Sequence, residues 1–370
     1  ASGSDGIPMS FLKASNFPVS MAKANKPDTR NEFNYYISRG TSYVRSYDGI
    51  VRKGRNMFTS QLRSEPDDDN YMLKSLALVF KEVHEAAITP HLWNISHVTM
   101  LWKKEEKTDP ANYRPISLMS NAQKTFHAVL DERIHDYLDQ SNVLNLSQCG
   151  YRRKRNLNEH LITLLEFLKH CRGRNLPAWI AFVDIRKAFD GIKHSTIMKA
   201  LQKIGISSDT RFYKYIMHMY SSLSFSVKVG SSYSTVEKQL VGIKQGCPLS
   251  PILFNIVFDQ ILKNIIRPWE SEVKPLTYDS MFNVDHGVTG YADDAALMAN
   301  ECSQLIIFIK NMIDLMATYG MEMNTGKTEV MVLDWRNGAE PVTSVSFTHR
   351  DKQYSFRCVD EFRYLGCRFN

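Results

Sequence analysis

Apolar residues recur at helical spacing from Tyr71 onward: Met72, Leu76, Val79, Phe80, Val83 and Ala87 predict one face of a helix that Pro90 ends. Before it, Val19 to Asn70 is polar, lacks periodicity, closes on Asp67-Asp68-Asp69, and reads as an irregular surface insert. Ile95 to Trp102 predicts a strand, and Ser120 to Gln140 a helix with Phe126, Val129, Leu130, Ile134 and Leu138 facing inward. Trp179 to Val183 is a short apolar run, the mark of a buried strand, and it delivers Asp184 at its end. A helix is expected near His194 to Ile204, and Phe225 to Gly230 and Ser234 to Val241 alternate around a Ser-rich turn like a hairpin. Ser250 then caps an apolar helix running to about Ile266. Gly287 to Tyr291 and Ala295 to Ala299 predict a second hairpin with Asp293 and Asp294 at its tip. Ser303 to Tyr319 reads as an amphipathic helix with Met312 and Met316 in the core, and Glu329 to Leu333 and the tail read as strands. Helices and strands alternate without a dinucleotide-binding glycine fingerprint or an internal repeat, so the class is α/β or α+β.

Composition narrows this picture modestly. A chain of 370 residues that is 43% apolar excludes disorder as the main state and accommodates one large domain or two ordinary ones. Lys and Arg number 46 against 39 Asp and Glu, a net of +7, which tilts the expectation toward a polyanionic partner. The six cysteines stand far apart with no C-x-x-C pair, so neither a zinc site nor a disulfide framework is suggested, and a reducing compartment is expected. The expected location is therefore intracellular, nuclear or cytoplasmic, with an organelle as a third option. The two most apolar stretches are interrupted by Asp259, Lys263, Lys310 and Asp314 and are too short for a bilayer span, so no membrane partner is expected. The opening Ala1 to Gly6 holds neither an initiator Met nor a signal-peptide core, the expectation for a chain processed or cut from something longer.

The chemistry concentrates at two places: the strand delivering Asp184, and the hairpin Gly290-Tyr291-Ala292-Asp293-Asp294-Ala295. Adjacent carboxylates repel and need a compensating positive charge, for which Mg²⁺, a hard ion preferring oxygen, is the usual choice. Three carboxylates from two strands suit a pair of ions stabilising the attacking and leaving oxygens of phosphoryl transfer. Around them, in order, stand Tyr113-Arg114-Pro115-Ile116-Ser117-Leu118, Phe182-Val183-Asp184-Ile185-Arg186-Lys187-Ala188-Phe189-Asp190, Gly242-Ile243-Lys244-Gln245-Gly246-Cys247-Pro248-Leu249-Ser250-Pro251, Tyr291-Ala292-Asp293-Asp294, Asn324-Thr325-Gly326-Lys327-Thr328 and Tyr364-Leu365-Gly366. Through these the sequence resembles the reverse transcriptases of non-LTR (LINE-type) retrotransposons, and Gly3-Ser4-Asp5-Gly6-Ile7-Pro8 looks like the motif with which such domains begin.

The resemblance implies an α+β right-hand polymerase with a palm sheet, helices and fingers, acting as an RNA-directed DNA polymerase on an RNA template, a DNA or RNA primer and dNTPs. It divides the chain into fingers over 1–180, with the insert near 19–70 and also the first palm elements, and palm over 181–370, with some fingers elements near 194–245, ending at the primer-grip motif. Asp184, Asp293 and Asp294 match the metal-binding carboxylates, holding two Mg²⁺ ions with Mn²⁺ as a substitute. Phe189 matches the aromatic that blocks a 2′-hydroxyl, and Gln245 and Gly246 match the loop under the incoming nucleotide. Arg114 and Lys103, or Lys104 in its place, match the triphosphate clamp, which suits a bidentate guanidinium and a point charge. Lys327 matches the lysine that donates a proton to departing pyrophosphate, and Arg363 to Gly366, with Tyr364, Leu365 and Gly366 at its heart, resembles a primer grip. The run Tyr151-Arg152-Arg153-Lys154-Arg155 suits tracking of a nucleic-acid backbone by charge and stacking, or a solvated basic loop. No thumb is recognisable beyond Gly366 and no endonuclease domain is present, so other domains or chains are expected to supply them. Two rivals stand beside synthesis: a domesticated or fragmentary relative that binds RNA or scaffolds a complex, and an intron-maturase-like RNA binder.

Overall fold

The structure, a computed structural model, describes residues 71–103, 106–153, 155–265 and 287–369. The expected insert from Val19 to Asn70, the opening Gly3 to Pro8 motif, Lys104 and Lys154 lie outside the described residues. The chain divides into two units, one taking residues up to Val143 with Ile197–Leu253, the other Leu144–Thr196 with Phe254–Asn370. Residues 144–180 belong to the second unit. The reason is the helix Leu157–Gly173, whose Leu164, Phe167 and Cys171 form one core cluster with Ile180 and Phe182 of the strand that follows.

In the first unit the helix Tyr71–Ala86 buries Leu73, Phe80, Val83 and His84. Val79, expected on the same face, is 46% exposed, because the buried stripe runs through Leu73, Phe80 and Val83 and leaves Leu78 and Val79 on the far side. Phe80 packs on Trp93 and Phe126 with ring centroids 6.3 and 5.2 Å apart. The strand Ile95–Trp102 pairs antiparallel with Tyr113–Leu118, from His97 opposite Leu118 to Trp102 opposite Tyr113. On its other side it runs parallel to Ser224–Val229. The helix Asn121–Ser141 starts where the Ser120 hydroxyl accepts the Gln123 N–H, and it buries Phe126, Val129, Leu130, Ile134 and Leu138, as the periodicity predicts. The second arm of the expected hairpin breaks into two short strands, Ser232–Tyr233 and Glu237–Lys238, and leaves Val236, Leu240 and Val241 exposed.

The second unit is built on a six-stranded sheet in the order Ser344–His349, Lys352–Val359, Glu329–Leu333, Ala178–Val183, Asp294–Ala299, Val288–Tyr291. Ala178–Val183 is central, antiparallel to both neighbours, and buried along nearly its whole length, which is why it reads as a continuous apolar run. The helix Cys302–Thr318 buries Leu305, Phe308, Ile309, Met312 and Met316. All six cysteines are free. No helix among the described residues is long and apolar enough to cross a membrane.

Phe182 is the centre of this core: its ring lies on Phe362 at 4.1 Å with planes 3° apart and meets Tyr364 at 4.8 Å. Replacing Phe182 with Ala is expected to destabilise the chain by about 3–5 kcal/mol. Chemical denaturation in EDTA measures it, and a loss below about 1 kcal/mol contradicts a core centred on this ring.

Candidate active site

Strand register brings the carboxylates together. Val183 lies opposite Ala295 in the antiparallel pair, so one step further along both strands sets Asp184 beside Asp294. Asp293 occupies the turn between Tyr291 and Asp294, the closing pair of the hairpin, with Ala292 before it at φ 59°. The three charges feel one another: the Asp294 carboxyl is pushed up to about 6 by partial burial, then by Asp293 and Asp184. Among the described residues no three His, Cys, Asp or Glu side chains already stand at metal-holding spacing. The donor set itself, carboxylate oxygen only, fits a hard divalent cation.

Two neutral supports position these carboxylates. Residues 322–333 run antiparallel to 178–186, with Met323 opposite Ile185 and Glu329 opposite Phe182. Between those pairs five residues, 324–328, face only Val183 and Asp184, and the surplus forms a turn beside the aspartate. From this turn the Asn324 N–H donates to the Asp184 carbonyl at 2.9 Å, and the Asn324 side-chain amide donates to Asp184 Oδ2 at 2.8 Å. The Thr328 hydroxyl accepts the Asp184 N–H at 3.2 Å. Lys327 sits in the same turn and is exposed.

The second support lies under the hairpin. Gln148 Oε1 accepts the N–H of Gly150 at 3.0 Å and of Ala292 at 3.2 Å, while its Nε2 donates to the Ala292 carbonyl at 3.3 Å. Gly290 donates to Ser147 O and accepts from Cys149 N, a parallel bridge centred on Gln148. Gly150 is pressed so closely on the turn that an added Cβ would lie 2.2 Å from Ala292 N. Its carbonyl in turn accepts from Asn255 Nδ2 at 2.5 Å. Buried Asp259 accepts the Asn145 N–H and pairs with Lys263 at 2.7 Å; burial raises its pKa while Lys263 pulls it back.

The matching family model is that of the reverse transcriptases (RNA-dependent DNA polymerases), and it covers residues 103–369. The chain belongs to the reverse transcriptase family. Among curated relatives it is 28% identical over 240 residues to a retrovirus-related Pol polyprotein from a type-1 R2 retrotransposable element of Popillia japonica, covering 65% of this chain and 32% of that protein. It is 23% identical to the RNA-directed DNA polymerase from mobile element jockey of Drosophila melanogaster, over 75% of this chain and 28% of that one. The chain thus spans about a third or less of the length of these relatives. Apo telomerase from Candida tropicalis, truncated from its C-terminal domain, is similar at 12% identity with a TM-score of 0.47, over 92% of this chain and 84% of that one.

Phe189 is half-buried and stacks on Phe254 at 4.8 Å, so one face of its ring is fixed. In the first unit, Lys103 and Arg114 are exposed at the far end of the hairpin formed by Ile95–Trp102 and Tyr113–Leu118. Gln245 O accepts the Ser117 N–H at 2.9 Å, which docks its loop on the strand that carries Arg114. Gly246 there has φ +108°, a conformation that an L side chain rarely adopts.

Two sequence readings change. Arg152 donates to Asn145 O and Gln148 O, and Arg155 donates to Leu146 O and pairs with Glu159 at 2.6 Å. The Arg152 and Arg155 guanidinium groups thus brace the 145–148 segment, while Lys154 lies outside the described residues. Tyr364 is 4% exposed, its hydroxyl 2.6 Å from His160 Nε2, so any grip at this motif falls to the Leu365-Gly366 turn, where both residues have positive φ. Asn324, Thr328, Gln148 and Gly150 escaped the residue-level reading, although the first two stand inside a motif read only for its lysine.

Gly150→Ala is expected to destabilise the chain by about 1–3 kcal/mol, because the clash is with backbone. Gly173→Ala, with open space around it, is expected to be neutral or stabilising by up to about 1 kcal/mol. Denaturant midpoints compare the two. A second expectation follows from Asp294: its raised folded-state pKa means the folded chain holds the proton more tightly than the unfolded one, so this group favours folding at low pH and the benefit is lost as pH rises through about 6. In EDTA, Asp294→Asn should raise the melting temperature at pH 8 and the gap to wild type should close toward pH 5; a gap independent of pH contradicts the charge crowding.

Proposed function

We propose that this chain is the catalytic portion of an RNA-directed DNA polymerase, extending a primer on an RNA template with dNTPs. The observation that carries the reading is the convergence of Asp184, Asp293 and Asp294, which the register of two paired strands and the turn of the hairpin bring together. We assign Asp184, Asp293 and Asp294 to holding Mg²⁺, in two sites, with Mn²⁺ able to replace it. Bound there, the metal supplies positive charge to the attacking and leaving oxygens of an in-line displacement.

The chain's own residues do the rest. Arg114 and Lys103 pair with the triphosphate, since both are exposed cations suited to phosphate oxygens. The ring of Phe189, backed by Phe254, fills the volume that a 2′-hydroxyl would need and so selects deoxynucleotides. Gln245 and Gly246 present backbone to the incoming nucleotide, and exposed Lys327 protonates departing pyrophosphate. The Leu365-Gly366 turn steadies the primer end. The first unit is the fingers and the second the palm. Intact carboxylates, with Asp184 held by Asn324 and Thr328 and the hairpin turn held by Gln148, favour synthesis over a role limited to RNA binding or scaffolding.

Asp293→Asn tests this reading. An amide keeps the shape and removes the charge, so primer extension on RNA in Mg²⁺ should fall by at least about 10³-fold, roughly 4 kcal/mol of lost transition-state stabilisation, with the melting temperature in EDTA unchanged or raised. Extension at near wild-type rate would show that the metal assignment is wrong.

A further inference from the structure

The turn 324–328 holds Asp184 at three atoms, its N–H, its carbonyl and one carboxylate oxygen, and two of these bonds come from Asn324. The backbone bonds alone fix where the Cα sits. Only the side-chain amide fixes where the carboxylate points, since Oδ2 is tied at 2.8 Å while the carboxylate's remaining acceptor capacity is left over. The amide is neutral, so it orients the group without cancelling the charge an ion needs. An Asp or Glu here would repel, and a Lys or Arg would compete with the ion.

We propose that Asn324 is a positioning residue that pre-orients the Asp184 carboxylate for a divalent cation. This rests on reading Asp184 as a metal ligand. An unanchored carboxylate must lose side-chain freedom when it binds an ion, whereas one already tied has less to lose; removing hydrogen-bond partners of metal ligands typically weakens metal binding roughly 10- to 100-fold. The antiparallel pairing of Met323 with Ile185 sets residue 324 level with residue 184, and the excursion of five residues facing two begins there.

The test is a titration of the metal-free chain with Mn²⁺, read by the electron paramagnetic resonance signal of the free ion, with no nucleotide or primer. Asn324→Ala and the similarly sized Asn324→Leu are expected to bind Mn²⁺ about 10-fold more weakly than wild type. In primer extension the half-saturating Mg²⁺ concentration should rise by a similar factor, with the rate at saturating Mg²⁺ and the KM for dNTP nearly unchanged. Titrations are run below the melting transition of every variant, as measured in EDTA, so that a stability loss does not enter the comparison. Asp184→Asn separates the two layers of the argument: if wild type does not bind Mn²⁺, or Asp184→Asn binds it equally well, the metal-ligand reading fails. If wild type binds, Asp184→Asn does not, and both Asn324 variants match wild type, the positioning role is overturned.

Discussion

Three carboxylates within one another's field repel, and the second unit is arranged to hold them there regardless. Asp294 registers the repulsion in part: its pKa rises to about 6, through burial first and then through Asp293 and Asp184. The groups that place the carboxylates, Asn324, Thr328 and Gln148, are all neutral hydrogen-bonding side chains. Neutral donors and acceptors fix geometry and leave the net negative charge in place, which is what recruitment of a cation requires. Cationic supports would have eased the repulsion and weakened the attraction for an ion in the same stroke.

The same logic extends inward. The helix Ser250–Ile265 is apolar almost throughout, yet it carries Asn255 and Asp259 at positions with no exposure. A buried carboxylate is costly unless paired and hydrogen-bonded. Asp259 meets both conditions through Lys263 and Asn145, and Asn255 caps the Gly150 carbonyl. These polar groups tie the 145–150 segment to a rigid helix, and that segment in turn carries the Ala292 turn through Gln148. Arg152 and Arg155 complete the bracing from the other side. The aspartate hairpin is thus supported by a chain of polar contacts reaching the core.

Most of the framework could be read from the order of residues. Strands with a strong apolar signal, Ile95–Trp102 and Ala178–Val183, appear with bounds within a residue of those expected, and so do the helices whose apolar positions recur at 3.6 spacing. Val79 misled because periodicity fixes a stripe without fixing its width. The hairpin after Val229 forms as expected, but its second arm is broken into two short strands, because apolar alternation does not report where pairing is interrupted. Arg152 and Arg155 show a different limit: a guanidinium satisfies backbone carbonyls as readily as phosphates, and only the fold shows the carbonyls these two meet. Asn324 and Gln148 were illegible as supports because their partners lie 140 and 144 residues away in the chain. A polar residue inside a recognised motif carries no mark that distinguishes holding another residue from touching a ligand.

The bridge between Gln148 and Gly290 has a consequence beyond the aspartates. Val288–Tyr291 is a border strand of the six-stranded sheet, and a border strand offers unpaired N–H and C=O groups to any other chain that can present an edge. Ser147 and Cys149 take up both backbone groups of Gly290 and so shield that border midway along its length. The segment that steadies the turn is also the guard against edge-to-edge association. Local opening there would therefore disarm the site and bare an aggregation-prone border in a single event, coupling the protein's solubility to the integrity of its reactive centre.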